Sequence, residues 1–204
     1  MTELEHAAFL GSCAVIDWSS RSVRELALQL AQGTEVATVR VAFEWVRDRV
    51  AHTADAGHGK ITLRASEVLR ERTGLCYAKS HLLVALLRAS GIPAGLCYQR
   101  LRLDDSGASF CLHGMVGVLM PNNRFLRIDP RGNKPGVVAD FAPSSEALAF
   151  KAEQPGEADL PGVFARPVPE VVAALTEAGD WNPLRTKLPD VAPERWPIAD
   201  VNWE

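Results

Sequence analysis

Thr73-Gly-Leu-Cys76-Tyr-Ala-Lys-Ser-His-Leu-Leu-Val-Ala-Leu-Leu-Arg-Ala-Ser-Gly-Ile-Pro93 reads as a glycine turn running straight into a helix. Leu82, Leu83, Leu86 and Leu87 recur at i, i+3/i+4 spacing, and Gly91 and Pro93 stop the run. The spacing predicts a buried amphipathic helix whose first turn carries Cys76. Free amides at a helix start carry partial positive charge and favour thiolate over thiol. Position 76 therefore suits a nucleophile better than a mid-helix position would.

A thiolate nucleophile needs a base and a group that orients the base. Downstream stand Leu112-His113-Gly-Met-Val-Gly-Val-Leu-Met120, then Pro-Asn-Asn, then Arg124-Phe-Leu-Arg-Ile-Asp129-Pro130. They read as strand, tight turn, strand, with His113 near the start of the first and Asp129 at the end of the second. Strand side chains alternate faces, so the two share a face only if the pairing has the right parity. A two-residue turn at Asn122-Asn123 would set Asp129 opposite Val116, on the wrong face. A three-residue loop, Pro121 to Asn123, pairs Met120 with Arg124 and makes His113 and Asp129 diagonal neighbours on one face. Pro121 cannot donate to the ladder, which favours the longer loop. An odd loop or a bulge is expected here.

Gly74-Leu-Cys76 with the leucine-rich helix ending Leu86-Leu-Arg-Ala-Ser-Gly-Ile-Pro93, then His113, then Ile128-Asp129-Pro130, resembles the transglutaminase-like superfamily, relatives of papain. The resemblance spans roughly residues 35 to 135. It implies an α+β, transglutaminase-like/papain-like fold, with N-terminal helices and a catalytic-cysteine helix packed on a small antiparallel sheet. It implies Cys76 as nucleophile, His113 as general base and then acid, and Asp129 as the carboxylate that fixes the imidazole. The activity implied is a thiol-dependent amide-bond enzyme working through a thioester on a peptide or other amide-containing substrate, with no cofactor and no metal. Water would resolve the thioester in a peptidase or amidase, an amine in a transamidase; bacterial-type single-domain members are more often hydrolases. Two other classes share the pattern. One is a non-enzymatic peptide-binding module, which has no need of all three residues. The other is an arylamine N-acetyltransferase-type acyltransferase, for which no CoA-binding feature stands out. Papain-type enzymes carry an oxyanion-hole glutamine six residues before the cysteine; Arg70 stands there instead, so only the Cys76 amide is legible as a donor. Ala78 replaces an acidic residue that many members carry, and Gly114 to Gly117 lack their aromatic and glutamate.

Around these motifs the chain is plainer. Ala14 to Trp18 reads as a short strand. Ser22 to Glu25 has the form of a capping box opening a helix to about residue 32. Thr34 caps a second helix to about Val50, with Val36, Val39, Phe43, Val46 and Val50 as its stripe. Ala51 to Arg64 reads as a loop in which His52 and His58 are solvated, ahead of the alternative that one lines an active-site mouth. Ser66 caps a short helix through Arg72. His81 stands about 140° round the helix from Cys76, a poor partner. Lys79 and Arg131 flank the site and read as solvated or structural. Ala94 to Leu103 reads as a strand with Cys97, Gln99, Leu101 and Leu103 on one face, and Asp104 to Gly107 as a turn. Arg100, Arg102, Arg124, Arg127, Arg131 and Lys134 read as a solvated basic face.

Composition shifts after Pro135, where nine further prolines and three of the five tryptophans lie. Residues 1–140 read as a transglutaminase-like catalytic core. Residues 141–204 read as a Pro/Trp-rich C-terminal extension packed on it, holding a short helix from Pro169 to Gly179 and the anchors Trp181, Trp196 and Trp203. A net charge of -3 leaves no nucleic-acid footprint. No apolar run reaches the roughly 18 residues of a membrane span. The acidic Met-Thr-Glu-Leu-Glu-His start lacks the basic region of a secretory signal, so a cytoplasmic protein is expected. Cys13, Cys76, Cys97 and Cys111 show no CxxC spacing and are expected as free thiols. Oligomeric state is not legible.

Overall fold

The computed structural model describes residues 2–57, 59–103 and 109–201. The expectations for His58, the 104–107 turn and Trp203 lie outside the described residues. In chain order the elements are α1 (Glu3–Ala8), α2 (Arg21–Leu30), α3 (Glu35–Arg49), β1 (Ala51–His52), α4 (Thr53–Ala56), α5 (Ala65–Glu71), β2 (Thr73–Gly74), α6 (Cys76–Ala89), β3 (Ala94–Arg102), β4 (Phe110–Leu119), β5 (Phe125–Ile128), β6 (Ala158–Phe164), α7 (Pro169–Glu177) and α8 (Trp181–Leu184). Among the described residues no helix is long and apolar enough to cross a membrane.

The centre of the molecule is α6. Thirteen of its fourteen residues are buried, so the expected one-sided stripe is a helix packed all round. Helices α2, α3 and α5 cover it on one side and strands β3 and β4 on the other, the layered α+β arrangement that buries both a helix stripe and a sheet face. At its far end the buried Arg88 donates to the carbonyls of Gly11 (2.7 Å), Ala94 (2.9 Å) and Ala165 (2.8 Å), tying three segments to one guanidinium.

The sheet has the order β5-β4-β3-β6, antiparallel throughout. Val116 pairs with Ile128 and Leu119 with Phe125. The Met120 amide donates to the Arg124 carbonyl at 2.9 Å, and Asn123 N donates back to Met120 O at 2.8 Å. The expected three-residue loop, 121–123, is therefore present, closed by Asn123 in the left-handed region (φ 61°). Strand β6 comes from the proline-rich extension, so that segment contributes to the central sheet itself.

Several local expectations change. Residues 14–18 form bends and turns, not a strand. Helix α2 starts after Ser20 without a side-chain cap, and Glu25 pairs with Arg21 at 2.7 Å where a capping box was expected. Thr34 does cap α3, accepting from Ala37 N. Helix α5 starts after Arg64, which makes no side-chain cap; Ser66 lies inside it and donates its amide to Asp17 at 2.9 Å. The expected loop at 51–64 includes β1, which pairs in parallel with β2 and sets His52 opposite Gly74. Cys97 faces Met115 and Cys111 faces Leu101 across β3–β4, and all four cysteines are free thiols.

Candidate active site

Helix α6 opens on Cys76 after an extended Leu75 that makes no side-chain cap, so its first amides keep their partial positive charge for whatever approaches Cys76. Strand β4 lies hard against this first turn. The Gly114 amide donates to Cys76 Sγ at 3.5 Å, and Ser80 Oγ donates to the Gly114 carbonyl at 3.1 Å. The Tyr77 hydroxyl, wholly buried, donates to the Leu112 carbonyl. A Cβ on Gly114 would stand 2.9 Å from Tyr77 Cδ1 and 3.1 Å from Tyr77 Cα. Glycine at 114 is thus what the close approach of Tyr77 requires.

The neighbouring residue on β4 is His113. Its Nε2 lies 2.7 Å from Asp129 Oδ2, and Cys76 is near enough to act on the charge of the ring. With Nε2 engaged by the carboxylate, Nδ1 is the nitrogen left for the thiol. Asp129 is fully buried; its Oδ1 accepts from Arg131 N at 3.0 Å and its Oδ2 from Ala149 N at 3.2 Å. Burial alone would push this carboxyl up, but the His113 charge and these hydrogen bonds hold it below the ordinary carboxylate value. Burial likewise opposes charge on His113, yet Asp129 and Cys76 outweigh it and raise the ring to about 10. Phe150, from the extension, stacks edge-on against His113 with ring centroids 5.0 Å apart. The structure brings Cys76, His113 and Asp129 together.

The side chains of the other polar candidates are engaged with other partners. His81 is buried, bonds through Nδ1 to Leu63 O at 2.8 Å and is pushed down to about 4 by burial, away from the cavity. Lys79 is buried and not solvated: Nζ donates to the carbonyls of Arg47 (3.1 Å) and Val50, finishing the C-terminus of α3. Burial, reinforced by Arg131, brings its ammonium down to about 7. Arg131 clamps Asp55 with 2.7 and 2.8 Å bonds, and Lys134 joins at 2.6 Å. Arg100 pairs with Asp190, and Arg127 with Glu146 and Asp159. Much of the expected solvated basic face is therefore ion-paired, largely to the extension.

A cavity of about 560 Å³ opens over Cys76 and His113. Leu75, His52, Leu101 and Arg131 contribute the wall from one side; Phe150, Lys151, Trp181 and Leu188 contribute it from the extension. His52, expected as a solvated loop histidine, lies in this wall. Its side chain is 9% exposed, and burial first, then Arg131, pushes the ring down to about 3.

The profile of the transglutaminase-like superfamily matches residues 24–130, just over half of the chain. No curated protein matches. A solved structure of a candidate cysteine protease from Cytophaga hutchinsonii is similar over 64% of this chain and 43% of its own, with TM-score 0.51 and 18% identity. The periplasmic domain of TgpA from Pseudomonas aeruginosa aligns over 64% of this chain and 48% of its own, with TM-score 0.49 and 19% identity. The chain thus spans less than half the length of either solved protein, and at 18% identity the likeness to the Cytophaga protein is one of fold.

Proposed function

The chain belongs to the transglutaminase-like superfamily, and from that premise we propose that it is a thiol-dependent amide-bond enzyme, a peptidase or amidase, in which Cys76 is the nucleophile, His113 the base and Asp129 its orienting carboxylate. The observation that carries the reading is the buried 2.7 Å contact between His113 and Asp129, with His113 and Cys76 lining one cavity. In this mechanism the Cys76 sulfur adds to the substrate carbonyl carbon. His113 hands its proton to the leaving nitrogen as the C–N bond breaks, and the resulting thioester is hydrolysed with His113 acting as base toward water. Asp129 keeps Nε2 occupied, so that Nδ1 faces the reacting atoms throughout. Residues 1–140 then serve as the catalytic core and 141–204 as the extension that walls the cavity. A cytoplasmic setting suits an enzyme with four free thiols.

Alkylation of Cys76 by iodoacetamide near neutral pH, read site by site by mass spectrometry, tests the reading. Wild type should alkylate much faster at Cys76 than at Cys97, and His113→Ala should slow Cys76 about 100-fold or more, the lower end of the range for losing a general base. Equal rates in wild type and variant would remove the chemical basis of the enzyme reading and leave a peptide-binding module.

A further inference from the structure

His52 is a polar group in the cavity wall that the mechanism above leaves idle. Its place is fixed by backbone pairing. Ala51 and His52 form a parallel pair with Thr73 and Gly74, so His52 stands opposite the residue two positions before Cys76. The Ala51 amide locks that register by donating to Arg72 O at 2.9 Å. The side chain lines the same cavity as Cys76 and His113.

Neither ring nitrogen has a hydrogen-bond partner among the described residues. Nδ1 is buried and unpaired, 3.7 Å from Asp55 Oδ2, beyond hydrogen-bonding reach. Asp55 is already occupied: Arg131 takes both oxygens and Lys134 one of them. An unpaired, nine-tenths buried imidazole is costly unless something completes it.

Only Nδ1 is sealed off; Nε2 is the nitrogen that an acyl transfer at Cys76 can give a partner. When the thiol sulfur adds to a carbonyl carbon, the C–S bond forms and the π pair moves onto oxygen. That oxygen needs two donors. The Cys76 amide is one, and position 70, where papain-type enzymes place the other, carries Arg70, which lies outside the cavity wall. We propose that His52, as its Nε2–H tautomer, is the second oxyanion donor. It keeps its proton throughout; the C–N bond breaks as the pair returns from oxygen, and the proton to the leaving group comes from His113. A neutral imidazole is the suitable form, since it polarises the carbonyl without adding a cation beside His113. The surroundings that hold the ring neutral are its burial and the neighbouring Arg131.

The inference rests on the proposed function, and the test separates the two. The probe is p-nitrophenyl acetate: acylation of Cys76 releases p-nitrophenolate, and intact mass reports the acyl-enzyme. Iodoacetamide is the control, because displacement at its saturated carbon develops no oxyanion. His52→Phe keeps the ring and removes the donor; it should slow acylation about 100-fold or more, the usual loss for one oxyanion donor, while alkylation of Cys76 keeps the wild-type rate. His52→Gln restores an N–H and should recover most of the acylation rate. Wild-type acylation in His52→Phe would overturn the assignment. So would alkylation that falls in step with acylation, which would place His52 in thiol activation or in folding. Failure of wild type to acylate at all would overturn the proposed function, and this inference with it.

Discussion

His113 shares its ring between Asp129 and Cys76, and the sharing makes its charge part of folding stability. Its folded pKa lies above the free-histidine value of about 6.5, toward about 10. The charged ring therefore contributes fully below pH 6.5, and the contribution is lost as pH climbs through about 10. Asp129 has the opposite sign: its depressed carboxyl contributes above the ordinary carboxylate value of about 4 and loses that contribution as pH falls through its own lower value. Urea unfolding of wild type and His113→Asn should thus differ most between about pH 4 and pH 6.5, and the gap should close toward pH 10. A gap that stays constant across that range would show that the pair is not charge-coupled in the native state. Cys76, His113 and Asp129 were legible because each sits in its own local signature, a helix start, a strand and an Asp-Pro strand end. His52 was not. Its burial depends on pairing with Thr73 and Gly74, twenty-two residues along the chain, and two residues of strand leave no periodicity to detect.

At the scale of elements, the decisive contact is α6 on β4. Gly114 is the hinge of that contact, and a methyl group there meets backbone and ring of Tyr77 at about the same point. Gly114→Ala should cost about 1–3 kcal/mol, the usual range for overpacking a filled core, and should also lower the alkylation rate of Cys76, since the first turn of α6 must move away from His113 and the Gly114 amide. Urea titration and the iodoacetamide assay would read the two effects on one sample. Stability lost with alkylation intact would mean that the strain is absorbed elsewhere. The helices and the β4–β5 hairpin follow from sequence because their signals are local: capping by Thr34, leucine spacing in α6, and strand parity around Pro121. The all-round burial of α6 does not. Lys79 and Arg88 look like surface residues by type, and only the carbonyls of α3, β3 and the segments at Gly11 and Ala165 explain why they are inside.

At the scale of the molecule, residues 141–204 act as a structural part of the site. Leu112 N donates to Pro189 O at 2.7 Å, Arg100 chelates Asp190, and Tyr98, Phe164 and Trp196 form one aromatic cluster. Core and extension should therefore unfold together. In a Trp18→Phe/Trp45→Phe variant, whose remaining tryptophans all lie in the extension, fluorescence and far-ultraviolet dichroism should trace the same urea transition. A fluorescence change that comes first would divide the chain into two units. The hairpin loop at 121–123 carries a separate consequence for how this protein tolerates change in length. Exposed hairpin tips ordinarily accept insertions and deletions freely. Here a single added or deleted residue would turn Asp129 to the opposite face of the sheet from His113, while the fold around it could stay intact. Among homologues and engineered variants, length changes at this tip should come in steps of two, although nothing at the tip itself touches the cavity.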